Sequence, residues 1–333
     1  MTAMHAPLKS SDDVGVLLKV RDLVCSYPIR GNRSFNAVDG ISFDVHLGET
    51  LGLVGESGCG KSTTGRAIIQ LPRPSGGSVL LGPDDLTTLR GDALRMRRRQ
   101  LQMVFQDPIS SLNPRRSCGD IVAEPLRIAG GVGEQQIRAQ VERALETVGF
   151  DPAVVWDRRP HQFSGGQCQR ISLARAIVSE PKFLICDEPV SSLDVSVQAQ
   201  ILNLLEDMKA SYGLTMIFIS HDLGVIKQVS DRVAVMYLGR LCELAPADAL
   251  YSSPRHPYTA ALLACVPRVD RPTDYDNDAA ILEGELPSPI DPPSGCRFRT
   301  RCPRARSECA QAVPEMRELA SGHRVACHFP LDS

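Results

Sequence analysis

Nine consecutive residues, Gly55-Glu56-Ser57-Gly58-Cys59-Gly60-Lys61-Ser62-Thr63, constrain this chain more than any other stretch. They fit G-x-x-x-x-G-K-[ST], a spacing in which glycines wrap backbone around an anion. A short apolar run, Thr50-Leu51-Gly52-Leu53-Val54, precedes them, and a helical pattern around Ala67 and Ile68 follows. Strand, glycine loop and helix thus come in the order a phosphate cradle needs. Gly55, Gly58 and Gly60 permit φ values closed to other residues. The N–H groups at the start of the new helix, aided by its dipole, face phosphate oxygens. Lys61 supplies a point charge for the outer phosphates, and Ser62 offers a hydroxyl to Mg²⁺.

A chain of 333 residues holds one large domain or two. Its hydrophobic content of 43% and charged content of 23% are those of a globular protein. A net charge of −2 gives no broad basic field for nucleic acid. No apolar run reaches the roughly 20 residues of a membrane-spanning helix. Residues 1–15, with Ser10, Ser11, Asp12 and Asp13, read as a disordered leader on a cytoplasmic protein.

Upstream of the loop, residues 16–20 predict a first strand and residues 38–45 a half-buried one. Tyr27 lies between them, outside any periodic segment, where its ring could stack on a purine or simply end a strand. Residues 78–81 and 101–105 predict further strands, the second ending at Gln106, where ligands lie in open parallel sheets. Arg95, Arg97, Arg98 and Arg99 read as a solvated helix face. Helical spacing over 117–129 and 134–148 indicates a helical insertion between strands.

Ser164 and Gln167 around Gly165-Gly166 form a capping-box pattern ahead of a helix, a second anion site on the same physical principle as the first. Two such sites cannot serve one γ-phosphate from the same side, so the second should face a nucleotide held by another subunit. The apolar strand over 183–186 ends in Asp187-Glu188. Asp187 is placed to hold Mg²⁺ and Glu188 to polarise an attacking water. Ser191 to Asp194 form a capped turn, and a buried strand over 214–219 delivers His221 to the same edge. Residues 233–238 are expected to close the sheet, and 247–250 and 258–264 to form short helices.

In this order, these segments resemble an ATP-binding subunit of an ABC transporter over residues 16–265. Phe105-Gln106-Asp107-Pro108, Ser111-Leu112-Asn113-Pro114, His256-Pro257-Tyr258 and Gly284-Glu285-Leu286-Pro287 further resemble the oligopeptide/dipeptide importers. The resemblance implies an α/β P-loop NTPase core with an antiparallel β part and a helical subdomain at about 107–170. A small, irregular, cysteine-rich C-terminal domain over 266–333 completes it. It also implies two ATPase subunits, a paralogue or a second copy, closing around two ATP molecules. Each ATP would lie between one subunit's loop and the other's Ser164–Gln167.

By the same resemblance, Tyr27 stacks on adenine, residues 55–63 hold phosphates, and Ser62, Gln106 and Asp187 serve Mg²⁺. Gln106 also links the site to the helical subdomain, Glu188 is the base, His221 stabilises the γ-phosphate and Asp194 joins the nucleotide contacts. Two permease subunits, met near Glu124-Pro125-Leu126, and indirectly a solute-binding protein complete the machine on the cytoplasmic face of the plasma membrane. A nickel or other small-solute importer, or a soluble non-transport ABC ATPase, are the other readings. Cys168 departs from the subgroup, where Arg or another polar residue is usual.

Of 11 cysteines, four crowd the tail: Cys296, Cys302, Cys309 and Cys327. Four thiols suit an iron–sulfur cluster or tetrahedral zinc, though no C-x2-C pair supports a zinc ribbon. Free or mutually oxidised thiols are the other possibility, the second disfavoured in a reducing compartment. The resemblance implies a [4Fe-4S] cluster. Cys59, beside Lys61 at a helix N-terminus, is expected to have a lowered pKa and to react with alkylating agents unless ATP covers it.

Overall fold

The computed structural model describes residues 15–31, 33–265 and 285–332. The expected leader, apart from Gly15, and the Pro267–Asp278 stretch of the tail lie outside the described residues. In chain order, β1 (Val16–Ile29) and β2 (Arg33–His46) form a long antiparallel pair. Then come β3 (Thr50–Val54), α1 (Lys61–Ile68), β4 (Gly76–Leu81), β5 (Asp84–Asp85), α2 (Gly91–Arg98) and β6 (Leu101–Val104). The helical insertion comprises α3 (Pro108–Ser111), α4 (Cys118–Ala129), α5 (Glu134–Thr147), α6 (Pro152–Val155) and α7 (Gly165–Ile177). β7 (Phe183–Asp187), α8 (Val195–Tyr212), β8 (Thr215–Ser220), α9 (Leu223–Val229) and β9 (Arg232–Tyr237) return to the core. Finally come β10 (Arg240–Pro246), α10 (Ala247–Ser252), α11 (Pro257–Ala264), α12 (Glu308–Gln311), β11 (Arg317–Ala320) and β12 (His323–Val325).

Two sheets organise these elements. The larger runs β11-β12-β10-β9-β3-β8-β7-β6, and the smaller, antiparallel one β2-β1-β4-β5. In the larger sheet, β9, β3, β8, β7 and β6 are parallel. Every residue of β3, β7 and β8 is buried, which is why these strands read as unbroken apolar runs rather than alternating ones. One core fills the space between this sheet, α1 and the antiparallel sheet; the other joins its opposite face to the helical insertion and the tail.

The insertion folds as its periodicity dictates. Ser117 caps α4 by accepting from Asp120 N–H. In α5, Ile137, Val141, Ala144 and Leu145 are buried at helical spacing, while the opposite face is wet. The arginine run lies mostly on α2, where Arg97 pairs with Asp84 and Arg98 caps the end of α1 through Ile69 and Gln70 carbonyls.

Three expectations need correction. Tyr27 is not outside periodic structure: β1 continues to Ile29, and Tyr27 faces Phe35 across the β1–β2 ladder, ring centroids 5.9 Å apart. Residues 233–238 do not close the sheet, because β10 hairpins onto β9 and then pairs with β12. The tail is accordingly not wholly irregular. The buried Glu243 carboxylate of β10 receives His323 Nε2 at 2.6 Å, and β12 registers Val325 against Glu243.

Candidate functional site

Four parallel strands deliver their C-terminal ends to one edge, since Val54 pairs with Ser220, Asp187 with Ile219 and Val104 with Cys186. That register is what brings Gly55, Gln106, Glu188 and His221 together from positions far apart in the chain. It is the crevice at strand ends where ligands collect in parallel sheets.

The glycine loop wraps over this edge. Gly60, the N-cap of α1, has φ of 105°, and a Cβ there would stand 2.2 Å from Ala37 O. A Cβ on Gly55 would meet Met236 O at 2.1 Å. Only glycine fits either place. Lys61 is buried, and its Nζ donates to Gly55 O at 2.7 Å and Glu56 O at 3.0 Å. The ammonium thus sits folded against the loop's own carbonyls. Ser57 and Gly58 form the exposed crown, with Thr63 half-buried behind it.

Beside the loop, Ser62 Oγ donates to Asp187 Oδ1 at 2.6 Å. Asp187 is fully buried, and its Oδ2 lacks a hydrogen-bond partner. Burial raises its pKa, a shift Ser62 and Arg66 oppose. A buried carboxylate oxygen without a hydrogen bond, 3.9 Å from Arg66 Nη2 and beside a serine hydroxyl, belongs to an oxygen set that suits a hard divalent cation. Gln106 Nε2 donates to Glu188 Oε2 at 2.9 Å, and His221 Nδ1 lies 3.3 Å from Glu188 Oε1. Gln106, expected at both groups, is thus joined to Glu188 rather than to the Ser62–Asp187 pair. Glu188 itself sits at φ 47°, turning its carboxylate out of the strand line.

The serine–glycine segment forms the expected capping box. Ser164 Oγ accepts from Gln167 N–H at 3.3 Å, and Gln167 Oε1 accepts from Ser164 N–H at 3.0 Å. A Cβ on Gly166 would strike Val197 at 2.5 Å, whereas Gly165 faces more open space. Among the described residues no hydrogen bond joins 164–167 to the glycine loop of the same chain. Asp194 caps α8 through Val197 N–H. Cys168 turns inward, is buried and donates to Pro160 O at 3.6 Å, so the unusual residue is spent on packing.

The Cys59 expectation is overturned. Its side chain is 0% exposed, and burial raises the thiol pKa against the lowering influence of Lys61, whose Nζ is 3.9 Å from Sγ. The Lys61 charge acts in the expected direction, but the loop folds over the sulfur.

The tail cysteines all line one small cavity with His256, Phe298 and Phe329. All are free thiols, and burial raises the pKa of Cys296, Cys302 and Cys327, the last to about 11. Among the described residues, though, no three His, Cys, Asp or Glu side chains are grouped to hold a metal ion. This geometry does not support the iron–sulfur expectation. Cys309 and Cys327 are buried, whereas Cys296 and Cys302 are half-buried.

Two residues the sequence did not single out for the site reach it from outside the core. Tyr258 Oη accepts from Glu56 N–H, and Arg301 Nη1 bonds the Glu56 carboxylate. Neither has a local signal, because each is defined by a contact across more than two hundred residues.

With this geometry in place, comparison with known proteins decides the family. The oligopeptide transport ATP-binding protein OppF of Salmonella typhimurium is 50% identical over 321 residues, covering 94% of this chain and 96% of its own. The chain belongs to the ABC transporter ATP-binding family. Its activity is that of an ABC ATPase. The oligopeptide transport ATP-binding protein AppF of Bacillus subtilis is 47% identical, covering 94% and 97%. The ABC transporter family model matches residues 38–191, and the oligopeptide/dipeptide transporter C-terminal region matches 242–309. Among solved structures, the ATP-binding cassette MJ0796, dimeric and bound to ADP and Pi after hydrolysis, superimposes with a TM-score of 0.63. It is 26% identical and covers 69% of this chain and 98% of its own. The protein cbiO1 of Clostridium perfringens, part of the ABC transporter complex cbiONQ, gives 0.62 at 30% identity, covering 72% and 91%. Among the described residues no helix is long and apolar enough to cross a membrane.

Proposed function

We propose that the chain is the energy-coupling ATPase of an oligopeptide or dipeptide importer. The observation that carries the chemistry is the convergence of Ser62, Asp187, Gln106, Glu188 and His221 beside one glycine loop. The curated relatives named for oligopeptide transport, and the matched C-terminal region, support the peptide cargo.

In this reading Tyr27 stacks on the adenine, residues 55–63 cradle the phosphates, and Lys61 swings from its loop carbonyls to the β- and γ-phosphates. Ser62 and Asp187 would hold Mg²⁺, which supplies charge neutralisation at those phosphates when bound. Glu188 orients and deprotonates the attacking water, Gln106 holds the Glu188 carboxylate in place, and His221 donates toward the γ-phosphate. Ser164 and Gln167, exposed, with Gly165 and Gly166, half-buried, are unattached to their own loop and serve the nucleotide of a second subunit together with Asp194. Closure of the pair moves the helical insertion. A groove of about 610 Å³ lined by Arg95, Arg98, Glu124, Pro125, Ile128 and Arg175 is where that motion meets a permease at the cytoplasmic face of the membrane. The ATPase unit over 16–265 and the tail over 266–333 are the two working parts.

The test is purification from detergent-solubilised membranes with Glu188→Gln in place and ATP present. The expected complex contains a second ATPase subunit, as another copy or a paralogue, and two permeases; cells lacking the chain lose uptake of labelled short peptides. A variant that never pairs around ATP, or unchanged peptide uptake, overturns the proposal. A [4Fe-4S] cluster in the tail is a separate proposal, resting on four thiols around one cavity. A colourless anaerobic preparation without iron overturns it, and no step of hydrolysis depends on it.

A further inference from the structure

Glu56, the residue after the loop's opening glycine, is held at three points. Its N–H donates to Tyr258 Oη at 2.9 Å, and its carbonyl oxygen accepts from Lys61 Nζ at 3.0 Å. Arg301 Nη1 bonds both of its carboxylate oxygens, at 2.9 and 3.1 Å. Of these three partners only Lys61 belongs to the glycine-loop motif. Tyr258 opens α11, and Arg301 lies between the tail cysteines 296 and 302.

The support behind these two residues is an aromatic cluster. Tyr258, Tyr237 and Phe298 are fully buried and pack ring to ring, with centroids 4.7 to 5.3 Å apart. The Arg301 guanidinium lies 6.0 Å from the Tyr237 ring centre. Its side chain is only 6% exposed, so it cannot itself reach a nucleotide in the cleft. Its contact with the glycine loop is the Glu56 carboxylate.

That contact has a definite sign. A carboxylate on the lip of an anion-binding loop repels an arriving triphosphate. Arg301 neutralises the carboxylate, while Tyr258 fixes the peptide whose carbonyl positions Lys61. The groups placed for the chemical step, Gln106, Glu188 and His221, belong to other strands and make none of these contacts.

We propose that Arg301 and Tyr258 are positioning residues of the phosphate loop, through which the C-terminal lobe sets the affinity for ATP. The inference rests on the ATP-binding reading of the loop and not on the peptide cargo. Failure of the unmodified chain to bind ATP would therefore strike that reading, and the comparisons between variants strike this one.

The experiment measures the ATP dissociation constant of the full chain with Mg²⁺, by competition with a fluorescent ATP analogue, and KM and kcat by phosphate release. Arg301→Ala is expected to weaken ATP binding and raise KM about five- to tenfold with kcat within about twofold. Tyr258→Phe is expected to weaken binding about threefold. Arg301→Lys, which keeps the charge, recovers affinity to within about twofold of wild type. In a Glu56→Gln background Arg301→Ala has less than about a twofold effect, because the charge it neutralised is gone. Arg306→Ala is the control. Arg306 stacks on Phe329 within the tail, 4.2 Å from the ring centre, and its removal loosens the lobe without touching the loop. Equal shifts from Arg301→Ala and Arg306→Ala, a fall in kcat at unchanged affinity, or additivity with Glu56→Gln each overturn the proposal. If Arg301→Ala does not fold, Arg301→Gln, which removes the charge but keeps most of the side chain, completes the same cycle with Glu56→Gln and their double variant.

Discussion

Ser62 donates its hydroxyl hydrogen to Asp187 Oδ1 over 2.6 Å, joining the helix after the glycine loop to the end of a strand 125 residues later. The other Asp187 oxygen is buried without a hydrogen-bond partner, and burial pushes the carboxyl pKa up. A divalent cation is the natural counterpart for that oxygen. Asp187→Asn is therefore expected to raise the Mg²⁺ concentration for half-maximal turnover about tenfold or more, by analogy with other disrupted metal sites. Titrating Mg²⁺ against phosphate release at saturating ATP measures it, and an unchanged midpoint would remove Asp187 from the cation site.

Glu188→Gln should separate binding from chemistry. The amide can still meet Gln106 and His221, so the cleft keeps its shape. Turnover is expected to fall by roughly 10²–10⁴-fold, the scale of a lost general base, with ATP affinity within about threefold of wild type. Hydrolysis at near-normal rate would assign the base elsewhere.

His256 makes stability depend on pH. It is buried, and burial lowers its pKa from 6.5 to about 4, against the raising influence of Glu243. Its Nδ1 accepts from Tyr258 N–H and caps α11. The folded state therefore keeps the ring neutral while the unfolded chain protonates near 6.5. Stability from this group is complete above that pH and is lost as pH falls from about 6.5 through about 4, in all roughly 3 kcal/mol. Urea midpoints at pH 7 and pH 5 measure it. His256→Asn, which retains an acceptor for the cap, should show a smaller drop; an equal drop would place the dependence on other groups.

Cys59 should resist alkylation in the folded chain with or without ATP, whereas Cys265, the exposed cysteine among the described residues, labels first. Mass-spectrometric mapping after iodoacetamide decides this. Labelling at Cys59 that ATP blocks would show that the loop opens in solution.

Much of this arrangement was written locally. The glycine loop needs specific φ values and a free helix start, and both are properties of nine adjacent residues. The insertion helices lie within a residue or so of the periodicity that predicts them, because an amphipathic helix carries its period in its own sequence. The capping box at Ser164 is legible for the same reason: its two hydrogen bonds span three residues.

What adjacent residues cannot encode is who covers whom. Tyr27 looked solitary because β1 bends through several register shifts before it reaches Phe35. The strand pairing of β10 with β12 joins segments some eighty residues apart and has no signature in either. Cys59 departs from its expectation because a charge and a helix dipole are visible in sequence, whereas desolvation depends on which atoms close over the sulfur.

By itself, then, the sequence determined the phosphate cradle, the strands that feed it and the acid and histidine at their ends, since each is a short-range pattern of backbone conformation and buried apolar surface. Only the tertiary structure decided that Gln106 and His221 meet on Glu188, that the tail extends the sheet, and that Arg301 closes on Glu56. Those contacts arise when distant segments pack, and their energies depend on burial that exists only once the chain has folded.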